Sequence, residues 1–280
     1  MHHTIQASIR TGLLLSVFFP FLAANAIMID GDLKDWIGQP QGNASDWTPL
    51  RSTTHYTVED QDGDANAYLD PGYGGQAYDA EAMYVEIMDG TLYIAVVTGV
   101  APDANADWPA GDIAIDFGND GIFEYGIVTL GDSDNPKGGT GDAGEVYDVD
   151  SWNYGIWTNP DVHNETDESP YKKAHPTTVK TGTLLGSAEL KYEEAKYNGS
   201  IPTALGDKGG NHYLIEAAIP LSFFAPDLLK QDFTVHWTMT CANDWIQTDP
   251  MGVPEPPVSW LLTTALAGLA LRKRLKLHPA

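Results

Sequence analysis

The sequence predicts an all-β protein: an antiparallel β-sandwich, jelly-roll-like, with long irregular loops. Three observations predict it. Apolar runs are short, and several alternate with polar residues at the strand period of two. Turn residues punctuate those runs, because 28 Gly and 18 Pro are spread along the chain and Asp-Gly steps fall between apolar segments. Amphipathic helical patterns are few. About eight to eleven strands fit this pattern, and no repeat of roughly 20–50 residues divides the chain.

In order, residues 1–26 read as a signal peptide. Arg10 supplies the positive start, "TGLLLSVFFPFLAA" (11–24) the apolar run, and Ala24-Asn25-Ala26 the small-residue cleavage site. Pro20 and the lack of a polar face argue against a helix packed in the fold. "IMIDGDLKDW" (27–36) reads as a short strand, a tight Asp-Gly turn and an aromatic. Residues 37–80 are polar and irregular. Residues 81–100 hold two apolar runs split by Asp89-Gly90, a strong hairpin signal. Residues 111–130 form a second pair. Residues 131–180 are the least regular. Residues 189–197 fit a strand end or a helical turn. Residues 211–224 read as a strand running into Pro220 and a short turn. Residues 232–244 are the last strong strand, with Thr234, His236, Thr238 and Thr240 on one face and Val235, Trp237, Met239 and Cys241 on the other.

The chain closes on a Val-Pro-Glu-Pro motif, an apolar run and a basic cluster. As a helix, 258–271 would span ~21 Å, short of a bilayer core of about 30 Å. Such a segment reads as a processing signal that touches the inner membrane only transiently. With Pro254, Glu255, Pro256, Arg272, Lys273 and Arg274 in this order, the tail resembles the PEP-CTERM sorting signal of Gram-negative bacteria. The resemblance implies export, an exosortase as processing partner, and delivery to the cell surface or extracellular matrix. The expected organisation is a signal peptide (1–26), a β-sandwich domain (27–252) and a sorting signal (253–280).

The formal net charge is −24. Arg10, Arg272, Lys273, Arg274 and Lys276 lie in the terminal segments, so the middle is more acidic still. Such a surface repels nucleic acid and anionic lipid and suits divalent cations. Cys241 is the lone cysteine, so no internal disulfide framework exists; it is expected in the core or in a bridge between chains.

The order of segments is similar to that of the DOMON-like and family 9 carbohydrate-binding-module sandwiches. Ile29-Asp30-Gly31 with Trp36, "LYIAVVTG", "DIAIDFGNDG" and "IEAAIPLSFF" carry that resemblance. It implies a sandwich and a non-catalytic module for extracellular polysaccharide. Some DOMON relatives bind haem through His or Met, but here Met83, Met88 and Met239 read as core fillers.

Sugar binding needs exposed aromatic faces with polar neighbours, because a pyranose has an apolar C–H face and a hydroxyl rim. Trp108, Trp152, Trp157 and Trp245 fall in irregular, polar segments and are the candidates; Trp36 and Trp237 read as core. For calcium, "DFGNDGIFEYG" offers Asp116, Asn119, Asp120 and Glu124 as hard oxygen donors around Gly121, without EF-hand spacing. Asp60, Asp62 and Asp64 are a weaker set. No G-x-S-x-G, H-E-x-x-H or P-loop motif is present. The histidines lack metal-ligand spacing, and His236 reads as a satisfied buried histidine. Acids are so numerous that some pair always meets the glycosidase spacing. The expected function is non-catalytic polysaccharide binding, with calcium expected as a stabiliser. The alternatives are a structural matrix protein without a ligand site, and a glycoside hydrolase.

Overall fold

The computed structural model describes residues 26–59, 74–102, 107–131, 139–155, 175–207, 209–242, 244–250 and 252. The signal segment before Ala26, Asp60, Asp62, Asp64, Trp157, and the tail with Pro254, Glu255, Pro256, Arg272, Lys273 and Arg274 lie outside the described residues.

Eleven strands form: β1 (His55–Val58), β2 (Ala80–Met88), β3 (Thr91–Thr98), β4 (Ile113–Phe117), β5 (Tyr125–Ile127), β6 (Glu145–Tyr154), β7 (Pro176–Ser187), β8 (Glu189–Glu194), β9 (Tyr213–Pro220), β10 (Phe233–Thr238) and β11 (Trp245–Thr248). They build two antiparallel sheets, β1-β2-β3-β9-β8 and β11-β10-β4-β5-β6-β7. The chain crosses between sheets after β3, after β7 and after β9. The second crossing uses Ala188 alone, whose N–H donates to the Gly144 carbonyl at 2.8 Å. Among the described residues the helical elements are short 3-10 turns.

The sheets face each other because alternation sends one apolar set from each inward. Val85, Leu92, Ile94, Val96, Ile215 and Ile219 meet Ile113, Ile115, Phe117, Val235, Trp237 and Met239 in one buried cluster. Cys241 is buried against it. At the β2–β3 turn, Asp89 (φ 51°) and Gly90 (φ 80°) both take positive φ. This is the primed turn whose twist matches the strands it joins.

Each sheet also carries apolar groups on its outer face. On the five-stranded sheet, Trp36, Trp47, Tyr84, Val97 and Leu214 form a second buried cluster. The N-terminal segment lies over it, held by the Glu216 carboxylate. That group accepts the Gly31 N–H at 2.6 Å, the Asp30 N–H at 3.1 Å and the Trp36 indole N–H at 2.8 Å. On the six-stranded sheet, Ala114, Val128, Tyr147, Trp152 and Val179 form a third cluster. Gly126 permits it, since a Cβ there would lie 2.4 Å from Val179 Cγ2 and 2.8 Å from the Trp152 ring.

Three expectations need correction. Residues 131–180 contain all of β6 and the start of β7, the two longest strands. Their polar faces and four register irregularities mask the period. Residues 37–80 contain β1, an edge strand too short and polar to show alternation. Residues 27–36 form no strand; Leu33–Asp35 is a 3-10 turn capped by the Asp32 side chain. The region 189–197 resolves as strand β8 followed by an isolated bridge.

Candidate functional site

Two clefts and one interior carboxylate group hold the chemistry of the described residues. The first cleft, about 370 Å³, opens at one end of the five-stranded sheet. There β2 begins, β3 ends and β9 begins, as the pairings Ala80 with Thr98 and Thr98 with Tyr213 require. Tyr78, Trp108 and Tyr213 supply its rings; Gln76 and Asn211 supply carboxamides. Tyr78 and Trp108 are half-buried and pack against the central core. Burial, with Cys241 and Asp107 nearby, pushes the Tyr78 hydroxyl up, so it stays a neutral donor. Gly99 shapes the wall: a Cβ there would lie 1.4 Å from the Gln76 carbonyl oxygen, so the two backbones touch only because Gly99 has no side chain. The Gln76 amide donates to the Glu81 carboxylate, which also lies 3.3 Å from His212 Nε2. None of the described lining residues is charged.

The second cleft, about 460 Å³, lies on the outer face of the six-stranded sheet. Alternation along β10 sends Thr234 and His236 to this face while Val235 and Trp237 enter the core. Asp116 at the end of β4, Asn119, Asp120, Gln247 and Asp249 supply a polar rim. Thr234 Oγ1 lies 2.9 Å from Asn119 Oδ1 and 2.8 Å from Asp249 Oδ1, placing β10 between the two loops. Rings run across the floor: Phe123 to His236 at 5.4 Å, His236 to His175 at 5.1 Å, and His175 to Trp245 at 4.7 Å between centroids.

At the rim, Asp116, Asp120 and Glu124 converge, with donor atoms within 4.8 Å of one another. Asp116 accepts the Asp120 N–H at 3.2 Å and the Gly121 N–H at 2.7 Å. Asp120 accepts the Ile122 N–H at 2.9 Å, and Glu124 the Phe117 N–H at 2.9 Å. These bonds close the turn and orient oxygens that could also meet a cation. Burial pushes the Glu124 carboxyl up, and the neighbouring Asp116 and Asp120 add to it.

The interior group consists of Glu59 after β1, Asp79 before β2 and Asp244 before β11, again within 4.8 Å. It lies where the edges of the two sheets meet. Asp244 accepts the Ala80 N–H at 2.7 Å and the Trp245 N–H at 2.8 Å. Burial, then the charges of Glu59 and Asp79, push Asp244 well above the usual carboxylate range.

Of the tryptophan candidates, Trp108 lines the first cleft. Trp245 stacks on His175 beside the second. Trp152 is only 8% exposed, and its indole N–H donates to the Phe123 carbonyl at 2.9 Å, so it offers no free face. The three form no common platform. Trp36 and Trp237 are buried in the core clusters. His236 differs from its expectation: it is buried, but neither ring nitrogen has a hydrogen-bond partner among the described residues. Sequence reasoning missed Tyr78, Tyr213, Gln76, Asn211, Glu59, Asp79 and Asp244, which fall in four separate stretches, at 59, 76–79, 211–213 and 244, and carry no shared motif. No family model matches the chain, and no curated protein matches it.

Proposed function

We propose that this protein is an exported, non-catalytic carbohydrate-binding module of a bacterial cell surface or extracellular matrix, and that it binds a neutral glycan in the cleft of Tyr78, Trp108 and Tyr213. One observation carries the reading. In a chain of net charge −24, this cleft presents rings and carboxamides and no charge among its described lining residues. Rings meet the C–H faces of a sugar, and carboxamides donate to and accept from its hydroxyls. The carboxyls pushed furthest up, Asp112, Glu216 and Asp244, are buried and line neither cleft. That favours binding over hydrolysis, which needs a proton-donating carboxyl at the substrate.

Calcium is the second element of the proposal. The interior group of Glu59, Asp79 and Asp244 and the rim group of Asp116, Asp120 and Glu124 are the residues that would hold it, as oxygen-only sets suited to a hard cation. Export rests on the terminal segments, whose resemblance to a sorting signal implies an exosortase.

Affinity electrophoresis tests the glycan reading. Wild-type protein and the Trp108→Ala variant are run through gels containing neutral polysaccharides. Retardation of the wild type that falls at least about tenfold in affinity in the variant is expected, since removing one stacking ring costs roughly 1.5 kcal/mol or more. Equal migration of both in every gel would overturn the assignment of this cleft.

A further inference from the structure

The second cleft has a chemistry that a neutral glycan does not explain. Its described rim carries Asp116, Asp120 and Asp249, and none of its described lining residues is a lysine or an arginine. Asp120 and Asp249 are exposed, so water and ligand can reach them. Acceptors outnumber donors around the opening. A carboxylate ligand would meet repulsion there; a ligand that brings positive charge and several N–H donors would not.

The floor points the same way. His236 is 1% exposed, yet both of its ring nitrogens lack a hydrogen-bond partner among the described residues. A buried polar group left so costs stability. A purely structural position between Phe123 and His175 would be served better by an apolar ring of similar size. Retaining an imidazole there makes sense if a ligand uses it, since a neutral imidazole offers one donor and one acceptor.

A single metal ion does not reconcile rim and floor. Among the described residues, the groups able to share one ion are Asp116, Asp120 and Glu124 at the turn and Glu59, Asp79 and Asp244 inside; His236 belongs to neither. Calcium also takes oxygen in preference to imidazole. The ligand must therefore reach from the carboxylates to the ring row. Phe123, half-buried at the end of that row, is the ring that can meet a sugar's C–H face or a neighbouring cation.

We infer that the cleft bounded by Asp116, Asp120, Asp249 and the Phe123–His236–His175 ring row is a second binding site, for a hexosamine unit whose amino group is free and protonated. The ammonium donates to the aspartates, the pyranose C–H face lies against Phe123, and a hydroxyl reaches in to His236. This site is separate from the neutral-glycan cleft, and either can fail without the other.

The test uses the full-length protein in EDTA, with calorimetric titration of a glucosamine trimer, its fully N-acetylated counterpart and spermidine. The glucosamine trimer is expected to bind at least tenfold more tightly than the other two. The double variant Asp120→Asn/Asp249→Asn, which keeps an acceptor oxygen at each site, is expected to lose at least tenfold. Asp227→Asn removes a charge that is 97% exposed elsewhere and is expected to change affinity less than twofold, which excludes bulk attraction to an acidic protein. His236→Phe keeps a ring in the row; it is expected to weaken binding while leaving the melting temperature unchanged or higher. Binding of the acetylated trimer or of spermidine that equals the glucosamine trimer's and is lost in the double variant, equal losses in Asp227→Asn and the double variant, or unchanged binding of the glucosamine trimer in His236→Phe would each overturn the inference.

Discussion

Asp112 sits fully buried between the strands of the six-stranded sheet, accepting the Thr129 N–H at 3.1 Å and the Val179 N–H at 2.8 Å. Burial outweighs those two bonds and pushes its carboxyl up to about 7. Glu216 is pushed up to about 7 as well, by burial against its three donors. A raised carboxyl binds its proton more tightly in the folded state. Its contribution to stability is therefore complete below its unfolded value near 4, is lost as pH rises toward 7, and is flat above that. Asp32 behaves oppositely. Burial raises its carboxyl, but the N–H groups of Lys34, Gly199 and Asn198, with the Lys34 charge, outweigh it and leave it lowered. Its contribution is lost at acid pH. Urea unfolding at pH 5, 6, 7 and 8 checks this. The wild type is expected to lose stability between pH 5 and 7, and Asp112→Asn to show a slope shallower by up to about 1.4 kcal/mol per pH unit. Parallel curves would mean that Asp112 is not protonated in the fold. At this scale the sequence is half legible. Trp36, Trp237 and Cys241 announce their burial by type and alternation. Nothing in the sequence marks Asp112 or Glu216 as buried acids, because their donors come from Val179 and Gly31, brought in by tertiary contact. His236 reads correctly as buried, but its lack of partners depends on what Phe123 and His175 place around it.

Between elements, the group of Glu59, Asp79 and Asp244 joins β1 and β2 of one sheet to β11 of the other. The neighbouring hydroxyls of Thr57 and Thr248 lie 3.1 Å apart across the same seam. Three carboxylates so close in a buried place repel one another, and a proton or a cation between them would relieve that repulsion. Calcium at this seam would tie the two sheets together. A thermal melt in millimolar calcium is expected to exceed that in EDTA by several degrees, since a hundredfold excess over the dissociation constant contributes about 2.7 kcal/mol. The gain is expected to vanish in Asp244→Asn and to survive in Asp120→Asn. A gain lost only in Asp120→Asn would move calcium to the rim turn, and no gain in the wild type would remove it from the account. The rim turn was legible because Asp116, Asn119, Asp120 and Glu124 lie within one short stretch. The seam was not, because nearly the whole domain separates Glu59 from Asp244. The same contrast runs through the strands. β2 and β3 were legible from Asp89-Gly90 and clean alternation, whereas β6 and β7 are interrupted by bulges and half-exposed faces.

The described residues form a sandwich, with a cleft of aromatic, uncharged described lining at one end of one sheet and a cleft with an acidic rim on the outer face of the other. Its acidic surface repels polyanions, and those two openings offer the contrasting chemistry through which it could be selective. If the terminal segments act as signals, protein extracted from the cell surface should begin near Ile27 and lack the residues after the Val253-Pro254-Glu255-Pro256 motif. Mass spectrometry that finds an intact tail would contradict sorting. Sheet architecture was readable from strand period and turn chemistry. The placement of Tyr78, Trp108 and Tyr213 around one opening was not, since it depends on how the ends of β3 and β9 register. Neutral-glycan binding at the Trp108 cleft is read by calorimetric titration of the most strongly retarding neutral glycan into wild type, Trp108→Ala and Asp120→Asn side by side. Saturable binding is expected, falling at least tenfold in Trp108→Ala and unchanged in Asp120→Asn. Binding that is indifferent to Trp108, or absent from the wild type, would contradict glycan binding at that cleft.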